Sequence, residues 1–291
     1  MHEDSEGVQR QACLDLFNLN TSADAKNGVR AGKAGAVERV VVVLRRHVNW
    51  VSVQEMACPT LYSMTYDNAA NLIRATNAGA IEALISVMRT HATHRGMQMN
   101  AIKMLMNTTG YDCPWEYYDR AIYAGAVEAL VAAMCGSLEI DNVQAVACRV
   151  LQNLTINNVE NRIRAGNAGA IEAVVAAQRR HSSSKTVQEM ACGCLSALTS
   201  GSGNAVNKTR AWNAGAVGAV VAALHNHLGR ESVQISGSAS TVYLEQRQCG
   251  EQCQGGKRGR RRGCFDFDAA ARGLREVARG GVHCVGSPGQ G

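Results

Sequence analysis

The chain repeats itself, and the period fixes what it can fold into. Val-Gln pairs begin at Val8, Val53, Val143, Val187 and Val233, with Met97-Gln98 in the remaining place, at spacings of 45, 44, 46, 44 and 46 residues. A second string keeps the same rhythm: KAGAVE at 33–38, NAGAIE at 77–82, YAGAVE at 123–128, NAGAIE at 167–172 and NAGAVG at 213–218. Two markers locked together over five units make each unit one structural piece that must bury its apolar side against its neighbours.

Each unit reads as three helices. A short one, residues 71–77 for example, ends at a glycine such as Gly79, which can adopt left-handed angles and turn a sharp corner. A second covers about residues 80–91, with Ile81, Leu84, Ile85 and Met88 at helical spacing. The third starts at the Val-Gln pair; Val143, Ala147, Leu151 and Leu154 form one of its apolar stripes. Helices this short are marginal alone, so stacking is required. Aromatics at 4% and only three prolines suit closely packed helices better than a β-sandwich. The expected fold class is all-α, an α-solenoid.

The segments "VQEMAC" and "NLIRATNAGAIEALISVMRTH" resemble an armadillo repeat, and the resemblance covers about residues 7–243. It implies a right-handed superhelix of three-helix repeats. Glu82, Glu128 and Glu172 depart from it, standing where many armadillo repeats carry proline. The divisions expected are a lone third helix over 1–21 and full repeats over 22–65, 66–110, 111–156 and 157–200. A degraded terminal repeat over 201–243 and a disordered Gly/Arg-rich tail over 244–291 follow. The last repeat reads as degraded because Ser236, Gly237, Ser238 and Ser240 replace alanine, cysteine and leucine. With both ends ragged, a fragment or an incomplete gene prediction is expected.

Charge separates body from tail. From Leu244 onward nine basic residues face five acidic ones, which leaves the first 243 residues with 21 and 19. A near-neutral body disfavours nucleic acid as its ligand, whereas the tail segment GGKRGRRRG suits nuclear localisation or nucleic-acid tethering. Cys249, Cys253, Cys264, His283 and Cys284 carry metal-ligand types at separations that match no zinc pattern. Cys13, Cys58, Cys148 and Cys192 recur at one helix position, as expected of reduced, buried thiols. The longest apolar runs are broken by charge and too short to span a membrane, and no apolar leader follows Met1. A cytoplasmic location, or a nuclear one, follows as an expectation.

No Gly-rich loop follows a strand, and no nucleophile–base pair has a scaffold to assemble it. No catalytic residue, cofactor, metal or small-molecule substrate is expected. Arg30, Arg74, Arg120, Arg164 and Arg210 recur at the first corner, where pairing with Glu38, Glu82, Glu128 or Glu172, or bonding to exposed helix-end carbonyls, is the expected use rather than a basic ladder for an acidic ligand. His47, His91, His181 and His227 recur where a second helix ends, favourably placed against its dipole.

In armadillo proteins the third helices line a concave groove that holds extended peptides. The resemblance therefore implies a partner-binding row made of Arg10, Leu14, Asn18, Glu55, Pro59, Ser63, Met99, Lys103 and Asn107, continued by Ala145, Arg149, Asn153, Glu189, Gly193 and Ala197. The match to importin-alpha fails at the tryptophan slots, which hold Leu14, Pro59, Lys103, Arg149 and Gly193. Lys103 and Arg149 at the centre favour other proteins as partners, through extended segments of acidic or mixed charge. Tyr111, Trp115, Tyr117 and Tyr118, close to Tyr123, form an aromatic cluster that would either suit a second anchor or fill space where the repeat lengthens to 46 residues. The function expected is a non-enzymatic scaffold. A vacuolar or membrane-associated armadillo scaffold stays open, although that family's lipid anchor needs glycine where this chain has His2. So does a nucleic-acid-associated factor that uses the tail.

Overall fold

The computed structural model describes residues 5–21, 26–110, 113–156, 158–201 and 204–252, with side chains as far as 244. These residues form sixteen helices, and no strand is found among them. Helix α1 (Glu6–Thr21) stands first. Five triplets follow: α2 (Lys26–Lys33), α3 (Ala36–Arg46) and α4 (Val51–Thr65); α5 (Ala69–Asn77), α6 (Ala80–Thr90) and α7 (Arg95–Thr108); α8 (Trp115–Ala124), α9 (Ala126–Gly136) and α10 (Asp141–Thr155). The last two are α11 (Val159–Asn167), α12 (Ala170–Arg180) and α13 (Lys185–Thr199), then α14 (Ala205–Asn213), α15 (Ala216–Asn226) and α16 (Glu231–Gln252). The fold is an all-α solenoid of three-helix repeats. The chain divides into two units, Met1–Arg247 and Gln248–Gly291, and the described part of the second is the end of α16.

The corner between the first and second helices is built on glycine every time. Gly35, Gly79, Gly125, Gly169 and Gly215 each cap a second helix at φ between 76° and 92°. A residue with a Cβ pays about 1–2 kcal/mol in that region, which is why the marker string keeps its glycine. The second helices then bury the periodic stripe: Ile81, Leu84, Ile85 and Met88 of α6 are inaccessible, as are Ile171, Val174 and Val175 of α12. Third helices pack on third helices, α1 on α4, α4 on α7, α7 on α10 and α10 on α13. Val143, Ala147, Leu151 and Leu154 of α10 lie buried in that stack.

The glutamine of the Val-Gln marker has a use that its sequence position does not announce. Gln98 Nε2 donates to the Met88 and His91 carbonyls, at 2.7 and 3.0 Å. Gln54, Gln144, Gln188 and Gln234 repeat this arrangement on carbonyls ten and seven residues upstream. Those carbonyls belong to the end of the second helix, where backbone acceptors have no intrahelical donor. The glutamine therefore closes one helix from inside the next.

Other side chains bind one repeat to another. Nε2 of His91 donates to the Val48 carbonyl, that of His181 to Leu138 and that of His227 to Ser182, at 2.6, 2.6 and 2.8 Å. These bonds, which span 43 to 45 residues, are the main structural use of these three histidines, whereas His47 stacks on Trp50. Arg74 pairs with Glu38, Arg120 with Glu82 and Arg164 with Glu128, each glutamate belonging to the preceding repeat. Arg210 breaks the series and donates to the Gly166 carbonyl and to Asn167 Oδ1. As half-exposed pairs these add little stability each, but they set the register between repeats.

The four periodic cysteines are buried, with Cys194 beside them. Burial pushes the Cys13 thiol up to about 11 and those of Cys58 and Cys192 up to about 12. Burial also raises Cys194, and contact with Cys148 adds to it. Because the thiolate is the reactive form, native thiol titration should, among the cysteines with described side chains, label exposed Cys135 first and Cys58 and Cys192 only on unfolding. Prompt native labelling of Cys58 would contradict the packing.

The segment whose sequence pattern decays is helical throughout, as α16. Ser240 Oγ donates to the Cys192 carbonyl at 2.5 Å, the counterpart of Thr60 Oγ1 donating to Cys13 at 3.0 Å. A Cβ on Gly237 would come within 2.6 Å of Leu224 Cδ2, so glycine permits the close approach of α16 to α15. The small residues are fitted to their place. Residues 253–291, which hold most of the basic tail, lie outside the described residues.

Candidate functional site

The stack of third helices leaves one face free of further packing, and three positions per helix supply most of it. On α1 these are Arg10 and Asn18, both exposed, and half-buried Leu14. On α4 they are exposed Glu55 with half-buried Pro59 and Ser63; α4 runs through Pro59 without a break. On α7 they are Met99, Lys103 and Asn107, all half-buried. On α10 Arg149 and Asn153 are half-buried whereas Ala145 is buried, and on α13 Glu189 and Gly193 are half-buried whereas Ala197 is buried.

Several of these groups are already engaged. Glu55 accepts from His94 at 2.8 Å, Glu189 accepts from Ser232 at 2.7 Å, and Ser63 donates to the Thr60 carbonyl at 2.9 Å. Lys103 Nζ sits 5.6 Å from the centre of the Tyr62 ring, a cation–π arrangement that holds the ammonium against the face. Burial, then the neighbouring Tyr66, push the Tyr62 hydroxyl up, so the ring stays neutral beneath the lysine. Among the described residues neither Lys103 nor Arg149 has a carboxylate partner. Asn107 Nδ2 is buried against the face and has no hydrogen-bond acceptor there.

The face changes character beyond α10. Where α7 and α10 carry Lys103 and Arg149, α13 and α16 carry Gly193 and Ala239 at the same register position. The result is a hollow of about 390 Å³, which Gln152 and Ile156 wall on one side and Ile235 and Tyr243 on the other. Tyr62, Gln152, Ile235 and Tyr243 are absent from the residues the sequence pattern singles out. The available signal was the run of small residues Gly193, Ala197, Ser236 and Ala239.

The aromatic cluster does not form one surface. Trp115 is 69% exposed, but Tyr117 is only 7% exposed and packs inside the repeat. Tyr118 is tied down, its hydroxyl donating to the Gly110 carbonyl at 2.6 Å. Tyr117 and Tyr118 are therefore fillers of the lengthened connection, not exposed anchors, and Tyr111 lies outside the described residues. No cluster of three or more potential metal ligands is present among the described residues. No described helix is long and apolar enough to cross a membrane.

Several solved structures share this arrangement of helices. An engineered protein matches at TM-score 0.67 and 24% identity, over 84% of this chain and 94% of its own. A designed armadillo repeat protein in complex with the peptide (KR)4 matches at TM-score 0.65 and 21% identity, over 84% and 96%. The chain has an armadillo-type fold. Computationally designed armadillo repeat proteins for modular peptide recognition match at TM-score 0.65 and 22% identity, over 82% of this chain and 94% of theirs. No family model and no curated protein matches the chain. In designed proteins the armadillo fold binds peptides.

Proposed function

We propose that the chain is a non-catalytic scaffold that holds an extended peptide segment of acidic or mixed charge across its third-helix face. One contrast carries the reading. The arginines along the first helices, Arg74, Arg120 and Arg164, each have a glutamate, whereas Lys103 and Arg149 on the third helices have none among the described residues. A cation half-withdrawn from water without a counterion favours a carboxylate brought by a partner. Asn107 and Asn153, four residues further along the same helices, lie on the same side and suit a peptide's main chain. The (KR)4 peptide held by a designed armadillo protein has the opposite charge, so this face would select a different class of segment.

The test is direct binding of the full chain to labelled peptides, one rich in glutamate and serine and one with the sequence (KR)4. The acidic peptide should bind, and more weakly as salt rises. Equal binding of both peptides, or preference for (KR)4, would remove the charge reading.

A further inference from the structure

We propose that the hollow between α10, α13 and α16 takes one large apolar side chain, aliphatic or aromatic, from the same peptide whose carboxylates meet Lys103 and Arg149. The inference rests on the binding face proposed above and adds a second, chemically distinct subsite to it.

The hollow exists because side chains are missing where the middle of the array has them. In the centre, Tyr62 of one helix is covered by Lys103 of the next. One pair of repeats later the corresponding residues are Gln152 and Gly193; the Gln152 amide rests over Gly193, where a Cβ would come within 2.9 Å of its Oε1, and no long side chain from α13 covers the space beyond it. The next helix offers Ala239 at the same position, so the opening continues to α16. Ile156, Ala197, Ile235 and the Tyr243 ring line it together with uncharged Gln152, Ser196, Ser200 and Ser236, and no charged residue does. Ile235 is 64% exposed at its rim, an apolar side chain without a partner.

Such walls select against charge, because an ionised group moved here would lose water and gain no counterion. An apolar side chain would lose little and cover Ile235. The hydroxyl-bearing residues Ser196, Ser200, Ser236 and Tyr243 in its lining offer an indole or phenol a hydrogen bond. At about 390 Å³ the space is at the small end of ligand pockets, which suits one side chain better than a cofactor.

The geometry also sets a spacing. Neighbouring helices lie roughly 8–10 Å apart and an extended chain advances about 3.3 Å per residue, so one repeat corresponds to about three residues. Arg149 is one helix away from Gly193 and two from Ala239. The apolar residue should therefore stand about three to six residues from the acidic one.

The experiment uses the full chain and a labelled glycine/serine peptide that carries a glutamate pair. A scan series moves one tryptophan stepwise away from that pair on either side. Affinity should peak at the separation given above, by about tenfold to a hundredfold over the peptide without tryptophan. Ser236→Trp and Ala239→Trp, which fill the hollow, should abolish the peak while the glutamate peptide still binds. Ile235→Ser, at an exposed position that the fold does not need, should lower the peak as well. If the glutamate peptide binds but tryptophan gives no gain at any position, the hollow is not a subsite and the binding face stands. A gain that survives in the filled variants likewise overturns it. If the glutamate peptide does not bind at all, the face itself is misassigned, and the subsite falls with it.

Discussion

Gln144→Glu should destabilise the array by about 3–5 kcal/mol at neutral pH, although the side chain changes by a single atom. Gln144 is fully buried, and its Nε2 donates to the Met134 and Ser137 carbonyls, both at 2.9 Å. A carboxylate there has no N–H to give and faces two carbonyl oxygens. Its Oε1 position is no refuge, since that atom is buried without a partner in the native protein. Burial beside acceptors raises the folded-state pKa of the new glutamate above its unfolded value of about 4.3. The unfolded chain then binds fewer protons than the folded one between the two values. The penalty is therefore full above the folded pKa and shrinks as pH falls towards the unfolded one. The central position of α10 makes the loss count on both sides, because each repeat is supported only by its neighbours. Urea denaturation of the variant and the native chain at pH 7 and below pH 5 reads both effects. Gln234→Glu should cost less, since Gln234 is only half-buried. A penalty below about 1 kcal/mol at Gln144, or one that does not change with pH, would mean that the glutamine clamp is not a structural bond.

The parts of this fold that were legible in the sequence are those that repeat within a helix. Gly35, Gly79, Gly125, Gly169 and Gly215 mark corners because only their backbone angles matter, and the Ile81–Met88 stripe marks a face because its spacing is that of a helix. What stayed hidden depends on partners elsewhere in the chain. Gln98 looks like a polar surface residue until the end of α6 is seen to lie under it. His91 shows a favourable helix-end position, but its acceptor, the Val48 carbonyl, is 43 residues away. The decay of pattern at Ser236, Gly237 and Ser240 suggests a failing repeat, although a helix needs backbone bonds more than any particular side chain, and Ser240 finds the Cys192 carbonyl. At the site, register arithmetic alone places Lys103, Asn107, Arg149 and Asn153 on one side of their helices. It cannot show the hollow beyond them, because a cavity is made by side chains that are absent and by the neighbours that do not move in. Nor can it separate buried Tyr117 from exposed Trp115, two residues apart in one aromatic run.

Reversing both central cations, Lys103→Glu with Arg149→Glu, should weaken binding of an acidic peptide by about a hundredfold at low salt. Hydrogen bonds to charged groups contribute about 1.5–3 kcal/mol each, and half-buried side chains that water still screens belong at the low end. Two such bonds lost come to about 3 kcal/mol, and tenfold in affinity corresponds to about 1.4 kcal/mol. The new glutamates also repel the peptide, and that part should fade as salt shortens the screening length from about 10 Å at 0.1 M to about 3 Å at 1 M. The fold should persist. Lys103 rests on Tyr62 at the surface of the stack, and Arg149 has no ion pair among the described residues to break. Net charge changes by four in the variant, so a control must change it equally. Arg95→Glu with Lys185→Glu does so at exposed helix starts, where a carboxylate suits the helix dipole. The control should bind like the native chain apart from a small effect that salt removes. Equal losses in variant and control would reduce the effect to overall charge. No loss in either, with both chains folded, would move the partner off the third helices, and exposed Trp115 would become the side chain to mutate next.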